Sequence, residues 1–216
     1  MNLICNMNES LLRFNKKQRY LVFDTETEGL NLVTSRPWQI AWMVVEGDTI
    51  LSRHDKFIDW PDLNVSEGAA KVTGFSHKEY EKKAESPDQV WCQFSAQLYN
   101  EDNLVIGQNL LGFDVYIINV WRKLMGMQSD YSFVNRIIDT KSLATAIAKQ
   151  IPVEKQSFLP WQYRLLNYKE RGLKTSQATL LKKYNIPHDP KRLHDALYDI
   201  EMNFKVFRKQ LFELEI

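Results

Sequence analysis

The order of apolar runs along the chain constrains its fold more than any other sequence feature. Three β-rich runs come first, over residues 20–23, 38–45 and 50–58, and the short turn Glu46–Thr49 joins the last two. Short apolar runs bounded by turn residues predict strands, and a tight turn favours an antiparallel pair. The first part of the chain therefore predicts an antiparallel meander of three strands.

The pattern after residue 60 alternates between helices and short strands. Helices are predicted over residues 67–72, 86–99, 111–125, 142–149 and 175–184 and from about 193 onward, and buried strands over 104–106 and 136–139. This order favours a mixed sheet with helices on its faces. We therefore predict an α/β fold in which a three-strand antiparallel meander continues into parallel strands. Residues 152–173 show no such pattern and are predicted to form a long loop.

Length and composition predict a single domain. The chain has 216 residues, 44% of them hydrophobic, which suits one well-packed core. We assign residues 1–18 to a tail or first helix and residues 19–216 to one domain. No apolar stretch approaches the roughly 20 residues of a membrane helix, and the N-terminus lacks the basic leader and apolar core of a signal peptide. A cytoplasmic location without a membrane partner is therefore predicted.

Four acidic residues in three separate clusters are the candidate functional centre. They are Asp24 with Glu26, then Asp114, then Asp199. Side chains at positions i and i+2 of a strand share a face, so the first two carboxylates can meet one ligand. Gathered carboxylates repel each other unless cations neutralise them, and such clusters commonly hold two Mg²⁺ ions. Each cluster also has a structural interpretation: a solvated strand end for the first pair, and a favourable helix-dipole contact for Asp114.

A histidine precedes the last acid. His194 lies five residues before Asp199, and five residues turn an α-helix through about 500°. The two side chains therefore do not share a helix face, and His194 is expected on the loop or first turn before the helix that carries Asp199. A histidine beside an acidic metal site can supply the base that activates water. A lone histidine is more often structural, but this spacing favours the role of base.

A basic stretch runs from residue 149 to residue 192. It contains ten Lys/Arg and three Asp/Glu, a net charge of +7, whereas the whole chain carries +1. Interleaved aromatic residues are Phe158, Trp161, Tyr163, Tyr168 and Tyr184. This pattern suits a single nucleic-acid strand, with phosphates held by charge and bases stacked on rings. The alternative is a solvated basic face with core aromatics, which the segment taken alone slightly favours.

The acidic residues and the histidine lie in three ordered motifs. The first is Phe-Asp-Thr-Glu-Thr-Glu-Gly-Leu over residues 23–30, the second runs from Asn109 to Asp114, and the third is His-Asp-Ala-Leu-Tyr-Asp over residues 194–199. In the order and spacing of these motifs, the chain resembles the DEDD superfamily of 3′→5′ exonucleases over about residues 19–205. It is similar to the histidine subclass, because Asp195 stands where the tyrosine subclass has tyrosine.

The resemblance implies a ribonuclease-H-like exonuclease domain over residues 19–216 that takes two Mg²⁺ or Mn²⁺ ions. It implies Asp24, Glu26, Asp114 and Asp199 as metal ligands, His194 as base, and release of 5′-mononucleotides from a 3′ end. The implied contacts of the terminal nucleotide are Thr25, Thr27, Gly29, Leu30, Asn109 and Phe113. The strand leading to this pocket is predicted to contact Lys169, Arg171 and Lys174.

Substrate and partner follow from the same resemblance. Single-stranded DNA is favoured over RNA because the first motif resembles that of proofreading enzymes, and a DNA polymerase is then a candidate partner. Residues 210–212 faintly resemble a sliding-clamp peptide, although a helix end is favoured there. The alternative activity is an exoribonuclease similar to ribonuclease T or oligoribonuclease. A non-catalytic nucleic-acid-binding module is the alternative of another class, and the presence of all four acids and His194 argues against it.

Overall fold

A six-stranded mixed sheet forms the centre of the protein. The computed structural model describes residue 12, residues 15–193 and residues 195–214. The strands are β1 (Arg19–Thr27), β2 (Pro37–Glu46), β3 (Thr49–Ile58), β4 (Ala84–Glu85), β5 (Asn103–Gly107) and β6 (Ile137–Asp139), in the order β4-β3-β2-β1-β5-β6. The first three pair antiparallel, and β4, β5 and β6 pair parallel with β3, β1 and β5. The predicted α/β fold, a meander continued by parallel strands, is confirmed.

Helices cover both faces of this sheet. Within the described residues they are α1 (Glu67–Thr73), α2 (His77–Lys83), α3 (Pro87–Leu98), α4 (Asp114–Leu124), α5 (Thr140–Lys149), α6 (Phe158–Leu166), α7 (Gln177–Lys183) and α8 (Ala196–Leu214). Alternate residues of β1 enter two separate cores, as the strand period of two requires. Leu21 and Phe23 pack with α3 and α4, whereas Tyr20 and Val22 pack with α5, α6 and α8. β1 is therefore held from both sides.

The turn between β2 and β3 needs a glycine. Gly47 has a φ of 57°, and a Cβ there would come within 2.6 Å of the Lys16 carbonyl oxygen. Both the left-handed backbone and the close approach exclude a side chain. The hairpin predicted over residues 46–49 is confirmed, with Glu46 paired to Thr49.

The prediction of a long loop over residues 152–173 was wrong, because α6 occupies its middle. Pro160 lies in the first turn of this helix, where a missing N–H costs no hydrogen bond. Trp161 is buried, and its indole Nε1 donates to the Pro152 carbonyl at 3.0 Å. No sequence signal predicted α2, or β4, which has only two residues.

The C-terminal helix continues through the segment that resembles a clamp peptide. Gln210 is buried in α8, and its amide donates to the Thr140 carbonyl at 2.8 Å. The favoured interpretation of residues 210–212 as part of a helix is confirmed. No helix among the described residues is long and apolar enough to cross a bilayer.

Candidate active site

The first acidic pair lies at the carboxyl end of β1. Asp24 and Glu26 are half-buried, and β1 lies between β2 and β5, so the pair emerges from the middle of the sheet. Ligands of open α/β sheets gather at the carboxyl ends of parallel strands, and β1 and β5 run parallel here. Both carboxylates line a cavity of about 390 Å³ that we call the acidic cavity. Asp199 of α8 lines the same cavity.

The second acid begins α4. Asp114 is only 2% exposed and does not line the acidic cavity. Its Oδ1 accepts two hydrogen bonds from Thr25, from the hydroxyl at 2.6 Å and from the amide at 3.1 Å. A carboxylate in the first turn of a helix is also favoured by the helix dipole. The predicted position of Asp114 in a first helical turn is confirmed.

The loop between β5 and α4 is organised by a buried carboxylate. Asp139, at the end of β6, accepts from the Asn109 and Leu111 amides, each at 3.1 Å. Asn109 has a left-handed φ of 67° and starts a 3₁₀ turn that leads to Asp114. Asp139 also caps α5 by accepting from the Lys141 and Ser142 amides. Burial raises the pKa of Asp139 to about 6, against the lowering effect of these hydrogen bonds.

The last acid is held by a residue that the sequence did not single out. Gln177, at the start of α7, donates through Nε2 to Asp199 Oδ1 at 3.0 Å and to the Asp199 carbonyl at 3.1 Å. Gln177 lines the acidic cavity together with Gln108 and Asn203. A glutamine outside the three motifs carries no local signal, because its role depends on how α7 packs against α8. His194, the predicted base, lies outside the described residues.

The acids strongly perturb one another. Burial, then the charges of Asp114, Glu26 and Asp199, raise the pKa of Asp24 well above its usual value. Burial, then the charges of Asp199 and Asp114, raise the pKa of Glu26 to about 8. Burial raises the pKa of Asp114 to about 7, although hydrogen bonds from Thr25 oppose the shift. Residues from three parts of the chain therefore lie within electrostatic range of each other, in the manner typical of functional sites.

These carboxylates lie near each other but do not form a complete set of metal ligands. Among the described residues, no three acidic, histidine or cysteine side chains converge on one point as a ready-made metal site. The chemistry of the donor set nevertheless suits a hard divalent cation, because Mg²⁺ and Mn²⁺ prefer carboxylate oxygens. A cation would also relieve the repulsion that raises the pKa values of Asp24 and Glu26.

The residues predicted to hold the terminal nucleotide occupy varied environments. Thr25 and Thr27 are buried, and the Thr27 hydroxyl donates to the Gly29 carbonyl at 2.6 Å. Leu30 is 87% exposed beyond the end of β1. Asn109 and Phe113 are half-buried, and neither lines the acidic cavity. These assignments stay predictions.

The basic stretch is only partly an exposed surface. Phe158 and Trp161 are buried in the core beside β1, so the suggestion that these two rings stack on bases was wrong. Tyr168 is 40% exposed and donates its hydroxyl to Glu170 at 2.8 Å. Lys169, Arg171 and Lys174 are exposed. The alternative interpretation, a solvated basic face over core aromatics, is therefore correct for α6. The exposed cationic side chains of residues 168–174 can still contact a ligand.

Comparison with known families agrees with this geometry. The family model for exonucleases (RNase_T) matches residues 21–207. The chain belongs to this exonuclease family. The match includes the β1, α4 and α8 acids, and it confirms the DEDD-superfamily resemblance drawn from the three motifs. The acids that come together at the carboxyl end of β1 therefore lie within the part of the chain that this family covers.

Curated proteins with similar sequences are PolC-type DNA polymerases. The exonuclease is 24% identical over 189 residues to the PolC-type DNA polymerase III of Pediococcus pentosaceus, and 30% identical over 132 residues to that of Bacillus cereus. These alignments cover 87% and 61% of this chain but only 13% and 9% of the polymerases. The exonuclease thus spans a small fraction of the relatives it matches.

Structures of E. coli exonuclease I share the fold. A zinc-bound complex of that enzyme with single-stranded DNA superposes with a TM-score of 0.71 at 17% identity, covering 92% of this chain and 41% of the other. A complex with a dT13 oligonucleotide gives a TM-score of 0.69 at 17% identity, covering 91% and 41%. At this level of identity the likeness establishes the ribonuclease-H-like exonuclease fold.

Proposed function

We propose that this exonuclease hydrolyses single-stranded DNA from its 3′ end and releases 5′-mononucleotides. The observation that carries the proposal is the cluster formed by Asp24, Glu26, Asp114 and Asp199. Three of these carboxylates line one cavity, and the fourth lies within electrostatic range of two of them. Such mutual repulsion is tolerated at a site built to bind positive charge.

The four acids are the proposed ligands of two divalent cations. Bound there, Mg²⁺ or Mn²⁺ would polarise the scissile phosphodiester and lower the pKa of an attacking water. Thr25 fixes the orientation of the Asp114 carboxylate, and Gln177 fixes that of Asp199. Both partners act before substrate arrives, and preorganised groups of this kind need little rearrangement during reaction.

His194 is the proposed general base. In the hydrolysis, water adds to the phosphorus and its proton passes to His194, while the bond from phosphorus to the 3′ oxygen breaks and that oxygen takes a proton from solvent. The products are a 5′-mononucleotide and a strand that ends in a new 3′-hydroxyl. In the sequence, His194 stands one residue after Leu193 and five before Asp199, and both of these residues line the acidic cavity, which supports the role.

Single-stranded DNA is the proposed substrate. Exonuclease I structures of the same fold hold single-stranded DNA and dT13, and the PolC-type relatives are DNA polymerases. The exposed cations of residues 168–174 supply charge for a phosphate backbone. A DNA polymerase or sliding clamp is a proposed partner because of the PolC relatives. An exoribonuclease is the alternative within the same chemistry, since the fold does not by itself distinguish a 2′-hydroxyl.

The test is digestion of labelled substrates side by side. With Mg²⁺ present, linear single-stranded DNA should shorten from its 3′ end, while blunt duplex DNA should react slowly and circular single-stranded DNA not at all. Chelation by EDTA should stop the reaction. Cutting of the circle would contradict exonuclease action, and degradation of RNA alone would replace the DNA assignment by the alternative.

A further inference from the structure

A second cavity lies beside the acidic one. It has a volume of about 370 Å³ and lies between α5 and the loop after α6. We call it the basic cavity because three cationic side chains line it, Lys141, Lys169 and Arg171. Leu165 and Tyr168 form part of its wall. The three motifs of the family contain none of these residues.

The charge of the basic cavity is not neutralised within the described part of the protein. The acidic residue that lines it is Glu170, and that carboxylate already accepts from Lys149 and from the Tyr168 hydroxyl. Among the described residues, Lys141, Lys169 and Arg171 form no ion pair, whereas the nearby Arg164 pairs with Glu154. A concave surface with one sign of charge concentrates ions of the opposite sign.

The basic cavity shares a wall with the acidic cavity. Lys141 Nζ donates to Asn109 Oδ1 at 3.0 Å, and Asn109 belongs to the motif that precedes Asp114. Gln108 lines the acidic cavity, and its Nε2 donates to the carbonyl of Thr175, which lines the basic cavity, at 2.8 Å. The two cavities therefore lie next to each other, and the hydrogen bond from Gln108 to Thr175 joins their linings.

We infer that the basic cavity binds a backbone phosphate of the substrate strand, on the 5′ side of the nucleotide being removed. This inference rests on the proposed function and adds Lys141 to the strand contacts. Lys169 and Arg171 pair with the phosphate from the loop, and Lys141 does so from α5. Lys141 also donates to Asn109, so the same side chain contacts the loop before Asp114.

The experiment measures binding in EDTA, so that nothing is cleaved. Fluorescence anisotropy of a labelled 12-nucleotide oligothymidylate is recorded over a series of salt concentrations. The double variant Lys141→Gln with Lys169→Gln is compared with wild type. The matched control is Lys205→Gln with Lys209→Gln, which removes the same charge from exposed residues that line neither cavity. Circular dichroism verifies that both variants fold.

We expect the cavity variant to bind several-fold more weakly at low salt. The slope of log affinity against log salt should become shallower by about 0.7 for each phosphate that the protein no longer neutralises, the value for single strands. The control should keep the wild-type slope. A third variant, Lys169→Gln with Arg171→Gln, leaves the Asn109 bond intact and should show the same weakening.

Three outcomes decide between the claims. If the cavity variants and the control bind alike, no phosphate occupies the basic cavity. If the cavity variants weaken a dinucleotide as much as the 12-nucleotide strand, the lysines act at the acidic cavity, and the inference is again wrong. Both results would leave the proposed function intact, provided that wild type binds the long strand and shortens it with Mg²⁺. Failure of wild type to do so would overturn the proposed function and this inference together.

Discussion

The hydroxyl of Thr25 donates to Asp114 Oδ1 at 2.6 Å, joining residues 89 positions apart in the chain. The Thr25 amide donates to the same oxygen at 3.1 Å. One carboxylate oxygen thus ties the end of β1 to the start of α4. Because Thr25 lies between Asp24 and Glu26, this contact fixes the spacing of three of the four acids.

Replacing Thr25 by valine tests that relationship. Thr25→Val keeps the amide bond and side-chain shape but removes the hydroxyl, so Asp114 becomes less constrained. We expect the free energy of unfolding to fall by about 1–3 kcal/mol, the usual effect of losing a buried hydrogen bond. The rate of cleavage should fall at least about tenfold, since each 1.4 kcal/mol lost in the transition state costs that factor.

Tyr80→Phe is the control for Thr25→Val. Its hydroxyl is also buried and lies away from the acids; it donates to the Ile58 carbonyl at 2.7 Å and accepts from the Trp60 amide at 2.8 Å. It should lower stability similarly while cleavage continues at the wild-type rate. Equal activity of both variants would show that the Thr25 hydroxyl only stabilises the fold.

Replacing a single acid should separate stability from activity. Asp24→Asn and Asp199→Asn each remove one negative charge with little change in volume, so cleavage should be abolished. Without metal, the melting temperature should rise at alkaline pH, where the carboxylates are ionised, because a source of repulsion has been removed. Asn203→Ala, at another lining residue of the acidic cavity, is a comparison that changes no charge. Full activity of either charge variant at saturating Mg²⁺ would refute the proposed metal site.

The metal-free protein should lose stability as the pH rises. Burial, then the charges of Asp199 and Asp114, raise the pKa of Glu26 from 4.5 to about 8. Between these values the folded protein keeps a proton that the unfolded chain has released, so the free energy of unfolding decreases with pH. Thermal melting in EDTA from pH 4.5 to 8 should show this decline, and Glu26→Gln should make it shallower. A curve that rises with pH over this window would contradict the assignment.

His194 is tested by its pH profile. His194→Ala should slow cleavage by about 10²–10⁴-fold, the usual contribution of a positioned base, while strand binding changes little. The wild-type rate should fall at acidic pH as the imidazole becomes protonated. His188→Ala is the control, because His188 lies outside the three motifs. A variant at position 194 that follows the wild-type profile between about pH 6 and 9 would exclude the histidine as base.

Gln177 is expected to act through Asp199. Gln177→Ala removes the amide that donates to the Asp199 carboxylate. Partners that orient metal ligands typically change metal affinity by about 10–100-fold when they are removed. The Mg²⁺ concentration for half-maximal cleavage should therefore rise by that factor, with the maximal rate less affected. Gln177→Asn, whose shorter side chain keeps the amide, should recover part of the affinity; an unchanged Mg²⁺ requirement would leave Gln177 a structural role only.

The sequence by itself predicted five of the six strands and singled out the four acids. Apolar runs, turn residues and helix starts are local signals, so β1, β2, β3 and the first turn of α4 could be predicted without a structure. The three motifs that contain Asp24, Glu26, Asp114 and Asp199 occur in a fixed order, and this order indicated the family of the chain. These are properties of neighbouring residues, and the chain carries them in any conformation.

Only the tertiary structure decided which residues hydrogen-bond to the acids and which cationic side chains form no ion pair among the described residues. The second role of Asp139, the amide of Gln177 on Asp199, and the burial of Trp161 all join elements that lie far apart in sequence. The basic cavity likewise exists because α5 packs beside the loop after α6, while Glu170 is engaged by Lys149 and Tyr168. Such contacts arise from packing of distant segments, and no periodicity or local spacing encodes them.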